Sequence, residues 1–236
     1  MGTEKGIVVA IDGPSGAGKS TVARQLAERL GYLYIDTGAM FRAVALTVKR
    51  ANISLDDDDA LAAVCRNLEI TFVRQEGAYR VFANGEDVSE AIRTPEISLL
   101  TSLISTKKVV REVLLHEQRR MGRDGNVVLE GRDIGSVVFP NAEVKFFLSA
   151  SAEERGRRRF LELQAKGEKV TLEKTIAEVI ERDVQDERRE HAPLCMAHDA
   201  LPIDSDGIPV AEVLGRMEKI VRQKESERRE SFCCGK

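Results

Sequence analysis

Gly13-Pro14-Ser15-Gly16-Ala17-Gly18-Lys19-Ser20 fits the spacing G-x-x-x-x-G-K-[ST] in full. In such an octet the glycines let backbone N–H groups turn inward around an anion, the lysine reaches the β and γ phosphates of a nucleotide, and the terminal hydroxyl can hold Mg²⁺. Gly13 to Thr21 is therefore the candidate ATP-binding stretch, with Lys19 and Ser20 as its chemically active side chains. A bound nucleotide does not identify what receives a phosphate. A guanine-reading N/T-K-x-D is missing, because Thr106-Lys107-Lys108-Val109 lacks the acid, so a GTP switch is disfavoured. If the acceptor is itself anionic, each close charge pair with ATP costs about 4 kcal/mol at ~4 Å and an effective dielectric near 20. Several arginines must then converge, and Arg42, Arg132, Arg182 and Arg189 are the candidates.

These residues need a scaffold. Ile7 to Ile11 is a β-branched run ending at Asp12, which reads as a buried parallel strand. Val22, Leu26 and Leu30 then recur at helical spacing, and Gly31 is placed to end the helix in the left-handed conformation. Tyr32 to Ile35, Val127 to Leu129, Val144 to Leu148 and Leu201 to Ile203 supply four more strands, the last an edge because of Pro202. Strands alternating with helices predict an α/β fold with a five-stranded parallel sheet covered by helices, and ligands beyond the carboxyl ends of its strands. Arg42 and Arg132 follow two of those ends.

About ninety residues separate the second strand from Val127, too many for one crossover. Alternation at Leu68, Ile70 and Phe72, a Gly77 turn before Tyr79 to Phe82, and Asn84-Gly85 predict a small β-rich insertion over 65–104. The acidic run Asp56 to Asp59 reads as a helix start rather than a metal site, and Thr94-Pro95 opens another helix.

The formal charge of -3 offers no bulk attraction for a nucleic-acid backbone, so no nucleic-acid partner is expected. No apolar run approaches the ~20 residues of a membrane span, and no secretory or lipid-anchor pattern holds up. A cytoplasmic monomer is the expectation. His116, His191 and His198 lack metal-ligand spacing, Cys65 and Cys195 read as core fillers, and Cys233-Cys234 as exposed thiols.

Three stretches together resemble bacterial cytidylate kinase in residues, order and spacing: Asp12 to Lys19, Asp36-Thr37-Gly38-Ala39-Met40-Phe41-Arg42, and Gly131-Arg132-Asp133-Ile134-Gly135-Ser136-Val137-Val138-Phe139-Pro140. Gly85 to Ser89, Ile92-Arg93-Thr94 and Glu181-Arg182-Asp183 through Leu194 are also similar, so the resemblance covers roughly residues 6 to 222. It implies a single P-loop kinase domain that moves the γ-phosphoryl of ATP to CMP or dCMP with Mg²⁺, the insertion lying on the acceptor side. Position by position, Ser102, Arg111 and Asp133 would contact cytosine, Arg182 and Asp186 would lie near the ribose, and Arg42, Arg132 and Arg189 would hold the acceptor phosphate. Thr37 keeps a hydroxyl in the same substrate set. Glu154 to Arg159 resembles a mobile lid, over 153–170, with Arg158 and Arg159 closing on ATP. Lys19, Arg132, Arg158, Arg159 and Arg189 form the expected catalytic set, and Ser20, with Asp36 through a water, the metal set.

Departures from the family pattern are Phe41, where Tyr is frequent, and Glu130, where Asp is common. Residues 224–236 read as a charged tail, with Ser226 to Glu230 a fraying, charged helical end. Two rivals remain: the same architecture with another acceptor (UMP, AMP or a small alcohol), against which Arg111 and Asp133 argue, and a nucleotide-sensing module that binds ATP without turnover.

Overall fold

The computed structural model describes residues 5–75 and 77–233. In chain order the elements are β1 (Val8–Asp12), α1 (Lys19–Leu30), β2 (Leu33–Asp36), α2 (Thr37–Arg50), α3 (Asp58–Asn67), β3 (Ile70–Gln75), β4 (Ala78–Ala83) and β5 (Glu86–Asp87). They continue with α4 (Pro95–Ile104), α5 (Lys108–Met121), β6 (Val127–Glu130), β7 (Val144–Ser149), α6 (Ala152–Ala165), α7 (Leu172–Glu187), β8 (Leu201–Asp204) and α8 (Val210–Cys233). A short 3-10 turn (Ala91–Arg93) and a π-helical turn (Ile134–Val138) complete the set.

Five strands make one sheet in the order β2-β6-β1-β7-β8. β1 is central and pairs in parallel with β6 and β7, with Val9 opposite Val128 on one side and Val144 on the other. All five of its residues are buried, as a strand covered on both faces requires. β8 lies at an edge, where Pro202 needs no second partner for its missing N–H. The α/β expectation therefore holds, with strand ends differing by a residue or two. Gly31 caps α1 at φ 69°, the left-handed conformation anticipated for it.

The chain divides into two compact units, Met1–Tyr34 with Asp124–Lys236, and Ile35–Arg123. In the second unit, β3, β4 and β5 form an antiparallel sheet, and residues 65–104 hold these strands together with α4. Asn84 and Gly85 have φ of 50° and 79°, the mirror-image turn that matches hairpin twist. The acidic run acts as a cap: Asp57 accepts the Ala60 N–H and Asp58 and Asp59 sit in the first turn of α3. Thr94 caps α4 through Ile97, with Pro95 in its first turn.

Ser226 to Glu230 is helical as expected, but the helix continues past it as far as Cys233. Tyr32 donates to Glu225 at 2.5 Å, and Arg228 pairs with Glu143 at 2.9 Å and donates to the Gly6 carbonyl. Apolar contacts at Val213, Leu214, Met217 and Val221 bury the first half of α8, and these polar anchors extend it beyond that face. Residues 234–236 and the Cys233 thiol lie outside the described positions, as does the start of the chain.

Candidate active site

The first unit carries the phosphate loop between β1 and α1. Gly13 stands at φ 145°, and a Cβ there would lie 1.9 Å from the Leu148 carbonyl oxygen of β7. Only glycine permits that approach. Gly13→Ala is accordingly expected to abolish ATP binding in titration calorimetry, and full affinity in a folded variant would contradict the packing. Lys19 is 6% exposed and donates to the Pro14 carbonyl at 2.6 Å. Burial, followed by the Arg132 charge, holds its ammonium well below the usual lysine range, while Glu130, Asp12 and Asp186 pull it back.

The same unit gathers four of the residues singled out from the sequence. Arg132 Nε lies 2.8 Å from Asp186 Oδ2 and Arg189 Nη2 lies 3.1 Å from Asp186 Oδ1. Burial pushes the Asp186 carboxyl up, but Arg132, Arg189 and Arg182 together outweigh it and hold the group below the usual carboxylate range. Three guanidinium groups thus act on one buried carboxylate. Asp133, 8% exposed, follows Arg132 directly and precedes the π-helical turn.

The lid-like run is a regular helix, α6, packed on α7. Arg158 reaches the phosphate loop: its Nη1 would lie 3.9 Å from a Cβ on Gly18, and it donates to the Ser205 hydroxyl and carbonyl. Ser205 donates in turn to the Ala17 carbonyl at 3.2 Å. Arg159 pairs instead with Glu162 on α6 itself. Arg155, given no role from the sequence, is buried. Its fork holds Asp183 of α7 at 2.9 and 2.5 Å, and its Nη1 also donates to the Ser15 carbonyl at 3.1 Å. A charge run seen in sequence carries no mark of which arginine turns inward.

In the second unit Asp36 caps α2 by accepting the Ala39 N–H and pairs with Arg42 at 2.8 Å. Arg42 Nε is buried with no hydrogen-bond partner among the described residues, a donor suited to an anionic oxygen. Thr37 is buried in the first turn of α2, and Ser102 is half-buried on α4. The Arg111 guanidinium lies 5.4 Å from the centroid of the Phe41 ring and donates to the Ser105 carbonyl. The departure at Phe41 therefore has a physical use, since a phenyl face attracts a cation without any hydroxyl.

Among the described residues no three His, Cys, Asp or Glu side chains cluster as metal ligands. Tyr34 donates to Glu130 at 2.5 Å, and Asp36 is engaged as above. Cys65 is buried, its thiol pushed up to about 11 by burial. Cys195 is exposed, contrary to the core role expected of it.

The model of the cytidylate kinase family matches residues 9–223. The chain belongs to the cytidylate kinase family. It is 66% identical over 221 residues to the cytidylate kinase of Geobacter sulfurreducens, covering 94% of this chain and 95% of that protein. To the cytidylate kinase of Bacillus subtilis it is 46% identical over 221 residues, covering 94% and 99%. A shikimate kinase of known structure from Bacteroides thetaiotaomicron is more distant, with 13% identity and a TM-score of 0.49 over 92% of this chain and 98% of that one. The chain is thus a kinase with the role of a nucleoside monophosphate kinase. No helix among the described residues is long and apolar enough to cross a membrane.

Proposed function

We propose that the protein transfers the γ-phosphoryl group of ATP to CMP or dCMP, giving ADP and the cytidine diphosphate. The observation that carries this reading is the convergence of Arg132, Arg182 and Arg189 on Asp186, with Arg132 close enough to depress the Lys19 ammonium. Such a surplus of cations around one carboxylate suits an anionic acceptor brought next to a phosphate loop.

Each side chain has a role that fits its setting. Main-chain amides of Gly13 to Ser20 wrap the β and γ phosphates, and Lys19 exchanges the Pro14 carbonyl for a phosphate oxygen. Arg132 and Arg189, with Arg42, hold the acceptor phosphate. Arg158, beside Gly18, neutralises charge on the group in transit, with Arg159 assisting as α6 closes. Phosphoryl transfer needs little covalent help, so positioning and neutralisation suffice without an essential general base. Arg182 and Asp186 serve the ribose. Cytosine offers an N4 amino donor beside N3 and O2 acceptors. Asp133 accepts from N4 while Arg111, steadied by Phe41, donates to N3 and O2, with Ser102 and Thr37 completing the substrate set.

Because no carboxylate cluster offers a cage for a divalent ion among the described residues, the exposed Ser20 hydroxyl would be the protein's own ligand to it, with Asp36 acting through water. Mg²⁺ held there would supply charge neutralisation for the transferring group. The protein works on small molecules, as a monomer in the cytoplasm.

ADP release measured with CMP, dCMP, UMP and AMP in turn, with Lys19→Ala as control, tests the reading. Turnover with cytidine nucleotides is expected, and rapid turnover with AMP alone overturns it. Asp133→Ala is expected to reduce the preference for CMP over UMP by roughly tenfold or more while ATP affinity stays near its parent value, because the lost acceptor faces only N4. Equal losses for both nucleotides in calorimetry would contradict that role.

A further inference from the structure

Asp12 closes β1 immediately ahead of Gly13 and has no part in the mechanism above. Its side chain is 4% exposed. Oδ1 accepts the Ile134 N–H at 2.8 Å and Oδ2 accepts the Gly135 N–H at 2.7 Å. Ile134 follows Asp133, which follows Arg132, so one carboxylate ties the strand that launches the phosphate loop to the turn that directly follows both acceptor-side residues. That turn is π-helical, a rare form that is frequent at functional sites.

We propose that Asp12 is a positioning residue for the acceptor base: its two hydrogen bonds fix the turn so that the Asp133 carboxylate meets the cytosine amino group. The inference rests on the cytidine reading above. Both carboxylate oxygens are used, each by a charge-assisted bond, and together they set the height and rotation of the turn as one bond could not. The group is kept at a cost, since burial raises its pKa from 3.8 to about 6, with the two N–H donors lowering it, Asp133 raising it and Lys19 lowering it. Lys145 of β7 also flanks the turn. A Cβ on Gly135 would meet Lys145 Cδ at 3.0 Å and Asp12 Oδ2 at 3.3 Å. At Gly135 the turn thus packs against both Asp12 and a lysine that itself pairs with Asp199.

Asp12→Asn keeps the shape but sets an amide nitrogen against one of the two N–H donors. The expected result is a KM for CMP raised roughly tenfold and a reduced preference for CMP over UMP, with KM for ATP within about twofold of the parent. Hydrogen exchange of the Ile134 and Gly135 amides in the parent protein needs no variant, and both are expected to be protected. Rapid exchange at these amides overturns the proposal, as does a folded variant with parental CMP kinetics and selectivity. A KM for ATP that rises as much as that for CMP also overturns it, because Asp12 would then act through Lys19. The parent's own rate separates the two readings: no turnover of cytidine nucleotides by the parent sinks the cytidine assignment, whereas an active parent matched by its variant sinks the positioning role alone.

Discussion

Lys19→Met is expected to lower kcat by about a hundredfold to a thousandfold while raising the melting temperature. In the proposed mechanism the catalytic loss follows from removing a preorganised charge aimed at the transferring group. The stability gain follows from the same burial. A base whose folded-state pKa lies below its unfolded value binds protons less tightly when folded, so at neutral pH its charge subtracts from stability. A methionine of similar length fills the space without that cost, a gain on the order of 1 kcal/mol. Calorimetric melting and an ADP-release assay on the same preparation check both halves. A variant with parental kcat, or one that melts well below the parent, contradicts the account of a strained, functional ammonium.

The second large effect concerns the brace behind the phosphate loop. Asp183→Leu leaves the Arg155 guanidinium buried, its side chain 5% exposed, without its carboxylate. Breaking a buried pair in this way costs about 3–5 kcal/mol. For a protein of this size that corresponds to a fall in melting temperature on the order of 10 °C. Arg155→Met combined with Asp183→Leu removes both charges and is expected to recover most of that loss. The Ser15 carbonyl nevertheless stays unheld in the double variant, so its KM for ATP is expected to remain raised by roughly tenfold. A double variant that regains stability and parental ATP kinetics together would show that the pair serves folding alone.

The phosphate loop, the five parallel strands and Arg132 were legible because each has a local signature. β-branched runs mark strands, the octet marks a phosphate cradle, and an arginine beside a strand end, as at Arg132, marks an anion, whereas Arg182 on α7 and Arg189 after it carry no strand-end mark. Arg155 had none: it sits among charged neighbours on α6, and only its contacts with Asp183 and Ser15, 28 and 140 positions away, set it apart from Arg157, which pairs with Glu154 in the open. Asp12 was hidden in the same way. It read as the end of a strand, and its partner amides at Ile134 and Gly135 lie 122 and 123 positions further along. The fate of the last helix was illegible for the converse reason, because a lone arginine among many charges gave no hint that Glu143 was waiting for it.

That last helix has a practical consequence. Glu143 also accepts the Val8 N–H, so Arg228 is fastened at the foot of β1, about 13 Å along the strand from where the phosphate loop departs. A fluorophore carried on a cysteine in place of the exposed Arg229, next to Arg228, would therefore sit at the base of the sheet, away from the strand end that launches the phosphate loop.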